Sequence, residues 1–251
     1  MNQINFATFN IGGGVPYKEI LEYKDKTFDP VNYIANLIIE YKLDVVCFQE
    51  VLMGDENFSS MSGEIAEKSG SKFYKELPLS DSHIVKGRKM GVSIISKYPF
   101  VQSEIFMLEN PHITKTSETG VVYTSHEKGF LITRIQTRAG EICCVTGHCF
   151  PFHSFDRDAM DFMYIYAKLE KKLLKLLDEN THVIIGADFN TTQLASLMPE
   201  VFKKYHSLVD IPTRPNGRSD DYILCDKETA NVESRLIETC YDHYGCMVIY
   251  K

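Results

Sequence analysis

Asp188 and Asn190 stand two residues apart in the segment THVIIGADFNTT, residues 181–192. A carboxylate and an amide at that spacing can share one reaction centre, the first accepting a proton and the second donating hydrogen bonds. Asp and Asn are also ordinary turn residues, so the pair alone decides nothing. The same kinds of side chain recur at Asn10, Glu50, His148, Asp221, and Asp242 with His243, each bordering an apolar run. One such group is weak, whereas an ordered set at strand ends is the usual makeup of a site in layered α/β proteins.

The runs that must position these groups are short and β-rich. Val183, Ile184 and Ile185 read as a buried strand, and Gly186 and Ala187 let the chain turn out after it. Ile4 to Ile11 alternates as a strand that Gly12-Gly13-Gly14 ends, and Asp44 to Glu50 is a buried run finishing in a carboxylate. Between them Asp29 caps and Pro30 opens a helix, with Ile34, Leu37, Ile38 and Tyr41 at helical spacing. A short helix spans Gly63 to Gly70. Strands follow at Lys72 to Leu77 and Gly91 to Lys97, the second closed by Pro99. Phe130 to Gln136 and Glu141 to His148 form a hairpin around Ala139-Gly140. Phe155 to Leu177 is a long amphipathic helix whose Lys168, Lys171, Lys172 and Lys175 make a solvated face. The remaining strands are Tyr222 to Cys225, Ala230 to Ile237 and Met247 to Tyr250. Residues 51–63, 78–89, 110–128 and 199–220 read as loops, and a segment as long as 110–128 touches a ligand or moves. Lys86, Arg88 and Lys89 read by default as a solvated cluster, with phosphate contact as the alternative.

The 251-residue chain has no internal repeat or linker and reads as one domain, 1–251. A formal net charge of -7 argues against tight, sequence-indifferent binding along nucleic acid, while leaving room for a basic cleft on an acidic body. Most of the seven cysteines lie in apolar runs, as free thiols in a reducing compartment do. With no basic-then-apolar leader and no membrane-length apolar segment, the expectation is a cytoplasmic monomer without stable membrane insertion.

In order, the motifs are TFNI (8–11), CFQEV (47–51), TGH (146–148), GADFN (186–190), DDYIL (220–224) and DH (242–243). In this order and over essentially the whole chain, they resemble the endonuclease/exonuclease/phosphatase superfamily of deoxyribonuclease I-like metal-dependent phosphoesterases. The resemblance implies a four-layered α/β sandwich, with two mixed β-sheets face to face and helices outside. It implies metal ligation by Glu50, Asn10 and Asp242, with Mg²⁺ as cofactor and Mn²⁺ as a substitute. It implies that Asp188 activates water, Asn190 binds a phosphate oxygen, His148 and His243 flank the phosphoryl group, and Asp221 orients His243. Asp221 is preferred over Asp220 because it directly precedes Tyr222-Ile223. Arg157, Arg214 and Arg218 are candidates for substrate phosphate. Three departures stand out: Gly12 where repair nucleases often carry Asp or Asn, His148 where exonuclease III-type enzymes carry tyrosine, and Tyr241 in place of the usual serine. The implied substrate is a phosphate ester, with a nucleic acid or nucleotide phosphodiester favoured. A lipid or inositol phosphate hydrolase and a catalytically degenerate binding protein are the alternatives.

Overall fold

Strands buried on both faces need continuous apolar runs, as at Val45–Phe48 and Val183–Ile185. They belong to a computed structural model that describes residues 3–17, 28–180, 182–209, 211–226 and 233–250. The first strands are β1 (Ile4–Asn10), β2 (Val45–Leu52), β3 (Phe73–Asp81), β4 (Lys89–Ser96) and β5 (Phe100–Met107). Next come β6 (Thr114–Thr116), β7 (Val122–Thr124), β8 (Gly129–Thr137), β9 (Gly140–His148) and β10 (Val183–Asp188). The last are β11 (Tyr205–Ser207), β12 (Asp221–Asp226), β13 (Glu233–Ile237) and β14 (Gly245–Tyr250). Helices are α1 (Pro30–Glu40), α2 (Met61–Ser69), α3 (Met163–Glu179), α4 (Leu194–Leu197) and α5 (Pro199–Lys204).

One sheet has the order β13-β14-β1-β2-β4-β3 and the other β11-β12-β10-β9-β8-β5. Each holds a single parallel pair, β1 with β2 and β9 with β10, so both are mixed. Alternation distributes each inner strand between two cores. In β1, Ile4 and Phe6 enter the core between the sheets, while Ala7 and Phe9 pack under α1 and α2. In β10, Ile184 faces the other sheet, while Val183, Ile185 and Ala187 pack against α3 to α5. The result is the expected four-layered sandwich. Asp29 caps α1 by accepting from the Asn32 N–H at 3.0 Å, and Ser60 caps α2 by accepting from Gly63 at 2.9 Å.

The sheets approach closely at the middle of β10. A Cβ on Gly186 would stand 2.8 Å from Cζ of Phe6, so only glycine fits. Beside it Gln49, fully buried, donates through Nε2 to the hydroxyls of Thr8 (2.9 Å) and Thr146 (3.0 Å) and to the Gly186 carbonyl (3.2 Å). This polar tie joins the two sheets one residue before Glu50.

Several elements depart from the sequence reading. β5 carries Val101, Ile105 and Met107 exposed at a sheet edge, so no alternation marks it. β3 continues through Pro78, which an edge strand tolerates, with a register shift between Pro78 and Ser80. The segment 110–128 contains the β6–β7 hairpin, and 199–220 contains α5 and β11. The long helix starts at Met163 instead of Phe155, because two 3₁₀ turns (Phe152–Phe155 and Ala159–Phe162) come first, the second capped by Asp158. The lysine face of α3 is not simply solvated: Lys172 pairs with Glu104 on the neighbouring β5, and Lys168 with Glu109. Arg88 donates to the carbonyls of Met53 and Ser59, and Lys89 pairs with Asp81, which ties both to structure. Of the sequence-derived strand Ala230 to Ile237, residues 230–232 lie outside the described residues, as does Thr181. Among the described residues no helix is long and apolar enough to cross a membrane.

Candidate active site

Strand register assembles the site. Asp188, the last residue of β10, pairs with His148 at the end of β9 and with Asp221 at the start of β12, which sets three functional groups in one row. From the facing sheet Asn10, at the end of β1, donates through Nδ2 to Asp188 Oδ2 at 2.9 Å and to Glu50 Oε1 at 3.4 Å. Its Oδ1 accepts from the Gly12 N–H at 3.1 Å. Glu50 sits on a bulge of β2, where the register shifts between Gln49 and Val51, and its φ of 54° is left-handed. Bulges re-aim side chains, and a strained backbone held at such a point accompanies function. Asn190 is left-handed too, at φ 53°. Its N–H donates to Asp188 Oδ1 at 2.8 Å and its Nδ2 to the Cys149 carbonyl at 3.0 Å.

The histidines come from opposite sides. His148 Nε2 lies 3.6 Å from Asp188 Oδ2 and 3.8 Å from Glu50 Oε1. His243, just before β14, has Nδ1 at 2.8 Å from Asp221 Oδ2 and Nε2 at 4.0 Å from Asp188 Oδ2. Thr213 also donates to Asp221 Oδ2, at 2.7 Å, which orients that carboxylate. Glu50, His148, Asp188, Asn190, Asp242 and His243 line one cleft of about 360 Å³, together with Lys128, Arg214, His83, His126 and Phe155.

Asp220, beside Asp221, does different work. Wholly buried, it accepts from Arg218 Nε (3.0 Å) and Nη2 (2.8 Å) and from Arg214 Nη1 (3.3 Å). Burial alone would raise its pKa, but the hydrogen bonds and charges of Arg218 and Arg214 outweigh that and lower it. Asp220→Ala should therefore destabilise the fold by about 3–5 kcal/mol, because the partly buried Arg218 guanidinium loses its carboxylate partner and Arg214 loses one of its two. Urea unfolding would measure it, and a loss below 1 kcal/mol would show that the arginines find other partners. Arg214 also pairs with Asp242, so that carboxylate is partly neutralised. Arg157 lines a separate side cavity with Arg218.

Lys128 has no counterpart in the sequence reading. Its Nζ lies 3.0 Å from Nδ1 and 3.2 Å from Nε2 of His148. It stands directly before Gly129, which registers with His148 across β8 and β9, a proximity that no residue pattern in the sequence signals. The two histidines are driven apart electrostatically. Burial, then the charges of Lys128 and His243, push His148 well below its ordinary pKa, so it stays neutral. Burial opposes charge on His243, yet the charge and hydrogen bond of Asp221 and the charge of Asp188 raise it to about 10. Burial and then the charge of Asp221 raise Asp188 above the ordinary carboxylate range, against the opposing charge of His243 and the Asn10 hydrogen bond. Opposed shifts within one cleft separate an acid from a base.

The donor set suits a hard divalent cation. Ligand atoms of Asp188, Asp221 and His243 lie within 4.8 Å of one another, but a protonated His243 has no lone pair to offer. Glu50, partly exposed to the cleft and bonded only at length by Asn10, offers free carboxylate oxygens.

The model of the Endonuclease/Exonuclease/phosphatase family matches residues 7–244. The chain belongs to this family. It is accordingly an enzyme, a hydrolase of phosphate esters of the metal-dependent kind that defines the family. Solved structures share the family fold at low identity. An endonuclease/exonuclease/phosphatase from Beutenbergia cavernae superposes with a TM-score of 0.74 at 16% identity, covering 100% of this chain and 72% of that one. The human Nocturnin catalytic domain with bound sulfate anion gives 0.68 at 15% identity, covering 100% and 93%. D. rerio TDP2 complexed with single strand DNA product gives 0.62 at 15% identity, covering 99% of each chain. No curated protein matches the sequence.

Proposed function

We propose that the protein is a Mg²⁺-dependent phosphodiesterase acting on nucleic acid or a nucleotide. The observation that carries this reading is the position of Asp188, buried between a neutral His148, a charged His243 and the Asn10–Glu50 pair in one cleft. Asp188, made more basic by burial, accepts a proton from the attacking water. Its two oxygens are fixed by Asn10 and the Asn190 N–H, which directs the remaining lone pairs to the cleft. His243, held charged by Asp221, donates to a phosphoryl oxygen, and the second N–H of the Asn190 amide does the same. His148, neutral and backed by Lys128, faces the opposite side of the phosphoryl group. Glu50 would hold the cation, with Asn10 orienting that carboxylate and Asp242 contributing from the Arg214 side. When bound, the ion neutralises phosphate charge and the developing leaving-group oxyanion.

The cleft volume of about 360 Å³ suits a nucleotide or a strand end better than a long duplex. The nucleic-acid preference also agrees with the DNA product named for the TDP2 structure, as a property of that protein.

Hydrolysis of bis-p-nitrophenyl phosphate and of a thymidine dinucleotide should stop on chelation with EDTA and resume with Mg²⁺ or Mn²⁺. Glu50→Gln should raise the Mg²⁺ concentration for half-maximal rate by about 10–100-fold. Turnover indifferent to EDTA would remove the metal from the mechanism. Turnover of sphingomyelin or a phosphoinositide but not the dinucleotide would replace the substrate class.

A further inference from the structure

A second cavity of about 240 Å³ opens beside the cleft, and His153 and Asn190 line both. Arg157, Arg218, Thr191 and Thr192 line it as well. Both arginines stand on anchored segments. The turn bearing His153 and Arg157 is anchored by Phe152, which is 1% exposed and stacks on Phe162 with ring centroids 4.2 Å apart. The Arg157 N–H donates to the Phe152 carbonyl at 3.0 Å, closing that turn. Arg218 is clamped along one edge by Asp220, and its Nη2 also reaches His153 Nδ1 at 3.3 Å. Its Nη1 is left without a partner among the described residues, and the exposed Arg157 guanidinium has no hydrogen-bond or ion-pair partner there either. The one carboxylate on the wall, Asp158, accepts from the Met160 N–H at 2.9 Å as a helix cap.

We infer that this side cavity is a second anion subsite, which takes another phosphate of the same substrate one ester unit from the phosphate seated at Asp188. The inference rests on the phosphoesterase reading of the cleft. Two guanidinium forks with unused N–H groups match the oxygens of a phosphate, and a fixed fork loses little freedom in binding. At this volume the cavity holds one group of a ligand whose remainder occupies the cleft; pockets that enclose a whole small molecule run to about 300–1,000 Å³. The shared wall of His153 and Asn190 makes the two anions parts of one molecule. The substrate class is thereby narrowed to esters bearing at least two phosphates, such as a phosphorylated nucleotide or an oligonucleotide end.

Calorimetric titration in EDTA tests the subsite without turnover. Thymidine 3′,5′-bisphosphate should bind at least about tenfold tighter than thymidine 5′-phosphate, the ratio for one added charge-assisted pair. Arg157→Ala should bring the ratio close to one, and Arg157→Lys should keep part of it. A wild-type ratio near one, or a ratio unchanged in Arg157→Ala, overturns the subsite. Preference for the bisphosphate in a protein that hydrolyses no phosphodiester with Mg²⁺ keeps the subsite and overturns the enzymatic reading instead.

Discussion

Asp188→Asn is expected to lower kcat on a thymidine dinucleotide by about a thousandfold at saturating Mg²⁺, with little change in KM. The magnitude is that of a general base in the transition state, and the kcat-only signature is that of an interaction absent from the ground state. The substitution is isosteric, so the pocket keeps its shape. Its cost to the fold follows from the two N–H donors that converge on the carboxylate, Asn10 Nδ2 and the Asn190 amide. An asparagine side chain has one acceptor oxygen, so one donor loses its partner, at about 1–3 kcal/mol. Removing the charge beside Asp221 offsets part of that. Melting by circular dichroism should therefore show a folded protein, and the lost rate belongs to chemistry. A kcat within tenfold of wild type would remove Asp188 from the base position.

The fold and the inner members of the site were legible because both follow from strand pattern. Asn10, Glu50, His148 and Asp188 each end or interrupt an apolar run, and an apolar run buried on both faces is a strong signal. Register is not visible in a sequence, so that Asp188 would align with His148 and Asp221 awaited the structure. Edge elements were the weak point: β5 is exposed on both faces along most of its length, and β3 crosses a proline. Lys128 was missed for a similar reason. It lies at the end of a polar segment whose composition reads as loop, and its closeness to His148 depends on the pairing of β8 with β9. The arginines show the limit of residue type as a guide. Arg214 and Arg218 were candidate phosphate ligands, yet both are first committed to Asp220, a carboxylate whose neighbour in sequence serves His243. Asp221 opens β12 in register with Asp188, whereas Asp220 lies just before the strand and turns to the two arginines, which divides the two aspartates between the two tasks.

Asp221→Asn is expected to shift the pH dependence of the reaction as well as its rate. His243 is raised to about 10 because Asp221 lies 2.8 Å from Nδ1 and outweighs the penalty of burial. In the proposed mechanism, deprotonation of His243 removes a donor to the phosphoryl oxygen, so it should form the alkaline limb of log kcat against pH. Neutralising Asp221 takes away the anion that favours the imidazolium, and the limb should move to lower pH by about 1–3 units. With a shift of about 2–3 units, His243 of the variant would be about half to nine-tenths neutral at pH 8, and kcat there should fall by about two- to tenfold relative to its low-pH plateau. Stability carries the same sign. A histidine raised in the folded state contributes stability that is fully present below its unfolded value of about 6.5 and is lost as pH rises through the folded value. Wild type should accordingly lose stability between about pH 6.5 and 10, and Asp221→Asn should be flatter across that range. Guanidinium unfolding at several pH values reads the second effect without any substrate. A variant with wild-type slope and an unmoved alkaline limb would mean that His243 is neutral in the folded protein, and the donor to the phosphoryl oxygen would then have to be Lys128 or Arg214, the other cationic side chains that line the cleft.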